Sequence, residues 1–395
     1  MFESICIHEQ AEGPGDPLDL GFLAEALLFY QNVRVAGHGT ALRQIVPAFG
    51  PDVLFEFLQR GYLSITYLQE LSGIHTRQTG SVNESHFPTA FAAPEYQLQN
   101  YAPKIFAEVT GRSERGRRLA ARFIHIVETT CHDQNVLDAT SADILAVTPV
   151  EEGFREILRV LAPEYEIPQP LITDVQQIDE RFHLSTNIDF VQANQSYHKR
   201  IPPSHSSLTV AFMLSLLLKA REHMHFASRF GSEIASSRIN ASLLKFKVDS
   251  LVRAHDKNRE TVSKFQDFIF DEGRTVREAI NSGEKSFKDV LKIIEKAEKF
   301  KAWLKDQRPD AELCKEYHRA VTSQTWVDKL PSKTLRWLLF TGIGVGIDML
   351  GAGGIGTAAG VGISAAEQLI LDRLLKGWKP SQFVKGPLQD FVNRK

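Results

Sequence analysis

The chain has 395 residues, a formal net charge of −2 and 43% hydrophobic residues. This length predicts two or three domains rather than a single core. The balanced charge excludes an attraction of the whole molecule to nucleic acid or to an anionic membrane, so any such surface must be local. Cys6, Cys131 and Cys314 lie far apart, which favours a reducing compartment over a disulfide framework.

The first part of the chain mixes two hydrophobic periods. Apolar residues alternate with polar ones at 63–67, as in a half-buried strand, and shorter strand candidates lie at 4–8 and 33–36. Glycines and prolines between 72 and 103 predict a loop-rich stretch. We therefore expect residues 1–165 to form a small α+β domain.

The remainder of the chain divides into three further parts. Residues 166–203 are rich in proline and predict an extended connector. Residues 204–330 predict a helical domain, because 232–272 lacks glycine and proline and carries apolar residues at helical spacing. Residues 331–395 form a glycine-rich hydrophobic hairpin and tail. The predicted fold class is mainly α: a small N-terminal α+β region, a helical bundle with long helices, and a C-terminal glycine-rich helical hairpin.

The glycine-rich segment is the most distinctive feature of the sequence. Nine of the thirty residues from 337 to 366 are glycine, and Asp348 is the only charged residue among them. Small residues recur four apart, a spacing that lets a second helix backbone approach closely. The residues expected to pack in this way are Gly342, Gly346, Ala352, Gly356, Gly360 and Ser364. The pattern resembles the glycine-zipper segments of membrane-associating proteins.

The flanks of the segment agree with a membrane interface. Tryptophan and cationic side chains stand at both ends, as in a hairpin whose two ends are cytoplasmic. These flanking residues are Arg336, Trp337, Arg373, Lys376 and Trp378. The arm from 337 to 350 would be only about 21 Å long as a helix, shorter than the roughly 30 Å hydrocarbon core. A conditional insertion is therefore favoured over a full span, and a hairpin buried in the fold or in a homo-oligomer is the alternative.

The glycine-rich segment also contains a possible nucleotide-binding motif. The stretch Gly351–Gly356 matches G-x-G-x-x-G, but the dinucleotide motif needs a strand before it and further strands after it. The surrounding sequence is itself glycine-rich and contains no convincing strand. We expect no cofactor.

The densest basic cluster lies between Arg112 and Arg122. On a helix, Arg115, Arg118 and Arg122 share one face, which is a candidate surface for a nucleic acid or another polyanion. A solvated face paired with acidic neighbours is the simpler interpretation. Nucleic acid therefore ranks below a partner protein, a second copy of the chain or a membrane as the expected partner.

Histidine and cysteine motifs indicate no specific chemistry. His223 and His225 are two residues apart, and on a helix they point in different directions and cannot share a metal ion. Cys131-His132-Asp133 contains the residue types of a nucleophilic triad, but neighbours in sequence do not face one another. We therefore expect no metal and assign no catalytic residue.

These patterns favour a non-catalytic interaction or effector protein. Its C-terminal segment would drive membrane association or self-assembly, and by analogy bacterial stress or antiviral defence is a natural setting. Because no secretory signal is recognised, we expect a cytoplasmic protein with peripheral or conditional association with the inner membrane. The alternatives are a soluble nucleic-acid-associated protein that uses the Arg112–Arg122 cluster, and an enzyme whose site assembles from dispersed residues. Candidates for the enzyme site are His75, Arg77 and His86, or His183, His198 and His205.

Overall fold

The fold was analysed in a computed structural model, which describes residues 3–8, 18–79, 83–202, 206–235, 243, 275–305 and 381–393. The chain divides into two compact units, each made of separate stretches of sequence. The helix unit contains Met1–Ile5, Asp19–Val33 and Ala254–Lys395, and the sheet unit contains Cys6–Leu18 and Arg34–Arg253. The four-part domain division expected from the sequence stays a prediction.

Strands and helices alternate through the first half of the chain. The strands are β1 (Ser4–His8), β2 (Asn32–Gly37), β3 (Leu63–Leu68), β4 (Leu71–Thr79), β5 (Asn83–Phe91), β6 (Glu128–Thr130), β7 (Thr173–Ile178), β8 (Arg181–Thr186) and β9 (Glu233–Ala235). The helices before residue 200 are α1 (Leu20–Phe29), α2 (Gly39–Phe49), α3 (Pro51–Gln59), α4 (Leu98–Thr110), α5 (Ser113–Ile126), α6 (Gln134–Leu145), α7 (Thr148–Leu161) and α8 (Phe190–His198). They are followed by α9 (Val210–Phe230), α10 (Val276–Asn281), α11 (Phe287–Lys305), α12 (Ser381–Phe383), a π-helical turn (Val384–Leu388) and α13 (Gln389–Asn393).

The first sheet has five strands in the order β6-β3-β2-β1-β9. The pairing of β3 with β6 is parallel, with Thr66 opposite Glu128. Strands β1 and β3 are nearly continuous apolar runs whose side chains are mostly buried, as parallel strands covered on both faces require. The sequence-based strand predictions at 4–8, 33–36 and 63–67 are confirmed. Between β2 and β3, Gly50 has a φ of 71°, which lets α2 end and α3 begin at Pro51.

The second sheet has four antiparallel strands in the order β4-β5-β8-β7. Its inner face carries Ile74, Val175, Phe182 and Leu184, which pack into an apolar cluster with residues of α7, α8 and α9. Because side chains alternate along a strand, the residues between these positions lie on the opposite, outer face.

Helix α9 passes several parts of the sheet unit. Met213, Leu218 and Phe226 each belong to a different apolar cluster, so the helix is buried on more than one side. The absence of glycine and proline from this run and its apolar composition explain why it forms a long helix.

The helix unit is held by contacts of α1 with α10 and α11. Asp19 caps α1 by accepting a hydrogen bond from the Phe22 amide (2.9 Å), and its carboxylate also pairs with Arg277 of α10. Phe29 of α1 meets Phe300 of α11 edge to face, with ring centroids 5.8 Å apart. Phe383 also packs against Phe300, with ring centroids 5.1 Å apart.

The predicted fold class was wrong. The described chain contains two sheets, one of five strands that includes parallel pairing and one of four antiparallel strands, and almost all of these strands lie in the N-terminal half rather than in a small α+β region ahead of a helical bundle. The stretch 72–103, predicted to be loop-rich, includes β4 and β5, and the predicted connector 166–203 includes β7, β8 and α8. The glycines and prolines of these stretches do not prevent strand formation, because cross-strand pairing, here Gly73 with Thr89 and Ile74 with Pro88, outweighs local propensity.

The glycine-rich segment lies outside the described residues. This includes every residue of the expected packing stripe and every flanking residue, namely Gly342, Gly346, Ala352, Gly356, Gly360, Ser364, Arg336, Trp337, Arg373, Lys376 and Trp378. The predicted long helix at 232–272 also falls mostly outside them. Across the helices that the structure does describe, none combines the length and the apolar composition needed to cross a bilayer.

Candidate functional site

A buried polar cluster lies in the sheet unit where β1 and β6 end beside α9. Strand β1 ends at His8, and His132 follows two residues after the end of β6. Both side chains reach consecutive residues of α9, because His8 contacts His223 and His132 contacts Glu222. In open α/β sheets, ligands bind at the carboxyl ends of the strands. This position makes the cluster the candidate site.

Glu222 is the centre of the cluster and is only 2% exposed. One carboxylate oxygen, Oε1, accepts a hydrogen bond from the Ser72 hydroxyl and lies 3.4 Å from His132 Nδ1. The other oxygen, Oε2, accepts from the Lys219 ammonium at 2.7 Å. A buried charge requires such partners, since an unpaired carboxylate in an apolar interior is strongly unfavourable.

The charge state of Glu222 follows from these contacts. Burial by itself raises the pKa of this carboxyl group, but the ammonium of Lys219, the hydrogen bond with His132 and the nearby His8 together outweigh it. The pKa of Glu222 is therefore held well below its ordinary value, and the group is a carboxylate at neutral pH.

His132 is fixed from two directions. Its backbone amide donates to the Glu70 carboxylate at 2.9 Å, and Glu70 follows shortly after the end of β3. Its ring faces Glu222 through Nδ1, while the buried Nε2 has no hydrogen-bond partner among the described residues. A carboxylate at Nδ1 places the proton on that nitrogen and leaves Nε2 as an acceptor. The arrangement is that of a carboxylate-oriented histidine base.

Two further histidines line the other side of the cluster. The rings of His8 and His223 are 4.6 Å apart, and His8 also stacks on Phe226 at 5.2 Å. Burial, followed by the effect of His8, depresses the pKa of His223 well below its ordinary value. His223 is therefore neutral at neutral pH.

The residues next to His132 and His223 in the two sequence motifs, namely Cys131, Asp133 and His225, have different surroundings. Asp133 caps α6 by accepting from the Asn135 amide at 2.9 Å, and it lies 3.6 Å from His225. The pKa of Asp133 is lowered, chiefly by this backbone hydrogen bond. Cys131 is exposed. As expected, His223 and His225 lie on a helix and point to different surroundings.

The predicted arginine surface is present on α5, but its members behave differently. Arg118 lies 3.6 Å from Glu114 in an exposed pair. The Arg122 guanidinium stands 4.2 Å from the centre of the Phe55 ring, so it covers the protein's own aromatic side chain. Arg115 is exposed.

The histidines considered for a dispersed enzyme site lie in different surroundings. His86 is buried and lies 3.1 Å from the Thr76 hydroxyl, and burial lowers its pKa. His75 is on the opposite face of the same sheet, beside Phe87. His198 contacts the Ile201 carbonyl and the Ser207 hydroxyl, and His205 lies outside the described residues.

Two members of the cluster, His132 and His223, lie in motifs that the sequence shows. Nothing in the sequence connects these motifs, because no local pattern places β6 beside α9. His8, Ser72 and Lys219 carried no signal. Within the described ranges, no three His, Cys, Asp or Glu side chains are grouped so as to hold a metal ion. Comparisons with protein-family models, curated proteins and solved structures found no match to this chain.

Proposed function

We propose that the sheet unit binds a small ligand at the carboxyl ends of its strands and exchanges a proton with it through His132. The observation that carries this proposal is the geometry of one side chain, in which Nδ1 of His132 faces the Glu222 carboxylate and the buried Nε2 has no partner among the described residues. A buried acceptor of this kind ordinarily finds a hydrogen bond within the protein or with a ligand.

The roles of the surrounding groups follow from their contacts. Glu222 orients the imidazole and stabilises the imidazolium that forms when Nε2 accepts a proton. Lys219 and Ser72 hold Glu222 in place and keep it charged. The reaction class is general acid–base chemistry on a ligand with an ionisable N–H, O–H or C–H bond.

The test begins with the tautomer of His132, which requires no knowledge of the ligand. Long-range proton–nitrogen NMR should show that the neutral form of the ring carries its proton on Nδ1. The assignment is made by comparison with His132→Gln, and exposed His125→Gln serves as a matched control. A ring protonated on Nε2 would remove the acceptor and overturn the proposal.

The second arm measures chemistry. Wild type and both variants are assayed against chromogenic carboxylic and phosphoric esters, which report general-base hydrolysis. A general base contributes typically about 10²- to 10⁴-fold, so His132→Gln should lose nearly all of the rate while His125→Gln keeps it. Equal rates in all three proteins would show that His132 is not the base.

We further propose that the whole chain acts as an effector whose C-terminal segment associates with a membrane or with copies of itself. The support is the sequence pattern around Gly356 and Gly360. On this proposal the protein is cytoplasmic with conditional association with the inner membrane, and stress or antiviral defence in a bacterium is the setting suggested by analogy.

A double substitution at the stripe tests this second proposal. Gly356→Leu with Gly360→Leu favours a helix but places bulky side chains where a neighbouring backbone is expected, which costs about 1–3 kcal/mol in a tight interface. Light scattering and co-sedimentation with liposomes should therefore show weaker self-association or weaker membrane binding. Unchanged values in both assays, for a folded protein, would mean that the stripe is not an interface.

A further inference from the structure

The outer face of the four-stranded sheet collects aromatic and basic side chains. The register places His75 opposite Phe87 between β4 and β5, and His86 opposite Phe182 between β5 and β8. Because His86 and Phe182 are opposite each other in antiparallel strands, their sequence neighbours Phe87 and Arg181 are also opposite each other. Side chains alternate along a strand, so Phe87 and Arg181 lie on the outer face. The residues that share this face include His75, Arg77, Phe87, Arg181 and His183.

Phe87 stands at the centre of this group. Its ring centroid is 4.9 Å from that of His75 and 6.0 Å from the Arg181 guanidinium carbon. The three side chains are therefore neighbours on the outer face, with the rings of His75 and Phe87 tilted by 33° to each other. His75 is exposed, and Phe87 and Arg181 are half-buried, so part of each residue remains accessible to solvent.

The outer face carries two positively charged side chains, Arg77 and Arg181. Arg77 and Arg181 make no ion pair within the described parts of the chain. One carboxylate shares the face, that of Asp174 on the edge strand β7, and it accepts a hydrogen bond from Gln176 at 3.2 Å. Asp179 and Glu180 lie in the turn between β7 and β8, at the end of the sheet. Among the described residues neither arginine is paired with a carboxylate, so both guanidinium groups are available for anionic groups.

The two faces of the sheet differ in what covers them. The inner face contributes Ile74 and Phe182 to the apolar clusters beneath it. None of the described clusters includes Phe87 or Ile178, and Ile178 on the outer face is 55% exposed. A half-exposed aromatic ring and an exposed aliphatic side chain beside unpaired arginines indicate a binding surface rather than a core.

We propose that this outer face binds single-stranded nucleic acid. Unpaired bases stack on Phe87 and His75, and phosphates pair with Arg77 and Arg181. Four strands span about 14 Å, which suits two or three bases, and aromatic side chains on open four-stranded sheets bind unpaired RNA in this way. Base stacking needs no particular sequence, so binding should be tolerant of sequence and sensitive to salt.

Fluorescence anisotropy with labelled oligonucleotides of about ten nucleotides tests the proposal. Mixed-sequence RNA, DNA of the same sequence and the corresponding duplex are compared. Either single strand should bind more tightly than the duplex, whose bases are not free to stack, and the stronger of the two identifies the sugar preferred. Equal binding of duplex and single strands, or no binding of any of them, would overturn the proposal.

Matched arginine substitutions locate the surface. Arg77→Ala with Arg181→Ala should lower the affinity at least tenfold and reduce the slope of log affinity against log salt by about 1.4, since each phosphate contact on a single strand contributes about 0.7. Arg115→Ala with Arg118→Ala removes the same charge from α5 and should leave both quantities nearly unchanged. The reverse result would place binding on α5 and overturn the assignment to the sheet.

Substitutions at Phe87 test the stacking step. Phe87→Ala should weaken binding about 5- to 150-fold, the range that corresponds to the loss of one base–aromatic stack. Phe87→Trp keeps a stacking surface and should retain binding, which separates loss of stacking from loss of fold. If Phe87→Trp and Phe87→Ala lose affinity equally while both remain folded, stacking on this ring is excluded.

Discussion

Nδ1 of His132 and Oε1 of Glu222 lie 3.4 Å apart in the interior of the sheet unit, although one residue follows a strand and the other lies in the middle of a long helix. The same carboxylate is held by Lys219 and Ser72. Ionic groups are rarely buried without a reason, because a well-packed apolar replacement is often as stable. Perturbed groups of this kind concentrate at functional sites.

Removing the ammonium that balances Glu222 should be strongly destabilising. We expect Lys219→Met to lower the free energy of unfolding by about 3–5 kcal/mol at pH 7, because it leaves a buried carboxylate without its cation. Lys292→Met is the matched control, since Lys292 also lies 2.7 Å from a carboxylate, that of Asp289, but at the surface. Its cost should be at most about 1 kcal/mol. Urea denaturation of the three proteins measures both values.

The pH dependence of that loss has a defined sign. In the wild type the lowered pKa of Glu222 stabilises the fold above the ordinary value of 4.5, and this contribution is lost as the pH falls below 4.5. Without Lys219, desolvation raises the pKa, and the carboxyl group is protonated at a higher pH. The difference in the free energy of unfolding between wild type and Lys219→Met should therefore become smaller from pH 7 to pH 4. A constant difference would show that the ion pair is not its cause.

His223 should destabilise the protein in mild acid. Burial depresses its pKa well below 6.5, so as the pH falls below 6.5 the unfolded chain takes up a proton that the folded protein does not. The free energy of unfolding then decreases by up to about 1.4 kcal/mol per pH unit for this one group. His223→Gln should reduce the slope between pH 6.5 and 5, whereas exposed His125→Gln should not. Chemical denaturation across this range distinguishes the two variants.

Gly21 lies where α1 packs closely against α10. A Cβ atom at this position would lie 2.5 Å from the backbone oxygen of Arg277, and the Gly21 amide donates to Asn281 at 2.8 Å. We expect Gly21→Ala to cost about 1–3 kcal/mol despite the better helix propensity of alanine. Gly153→Ala is the control, since its Cβ would come closest to the end of the flexible Leu217 side chain, at 2.6 Å, and would meet no backbone atom among its three nearest neighbours. A larger loss of thermal stability for Gly153→Ala than for Gly21→Ala would contradict this account.

The C-terminal residues should be required for the helix unit. Phe383 is 2% exposed and packs 5.1 Å from Phe300, and Leu388 is fully buried. We expect Phe383→Ala to cost about 3–5 kcal/mol, against little change for the exposed neighbour Gln382→Ala. A chain truncated after Leu330 should lose more stability than Phe383→Ala, because it lacks the whole C-terminal segment that contains Phe383 and Leu388. A cooperative and undiminished melting transition of the truncated chain would contradict this expectation and show that residues 1–330 fold without the tail.

Parts of the fold could be predicted because their signals are local. The apolar runs of β1, β2 and β3 and the helical run of α9 carry their periodicity within a few residues, and the structure contains all four. The hairpin of β4 and β5 was missed because Gly73 and Pro88 resemble loop residues until they are seen opposite Thr89 and Ile74. Pairing between strands depends on residues far away in the chain, which a local pattern does not contain.

The same division applies to the candidate site. The sequence by itself determined that His223 and His225 lie on a helix and point apart, since helical geometry fixes the angle between neighbouring side chains. It also contained the His132 motif, but gave no sign that this motif meets Glu222. Only the tertiary structure decided that contact, because the strand order of the sheet and the packing of α9 bring His8, His132 and Glu222 together. The direction of a side chain on a helix is determined by residues close to it in sequence. A buried site depends instead on which distant elements pack into the same core.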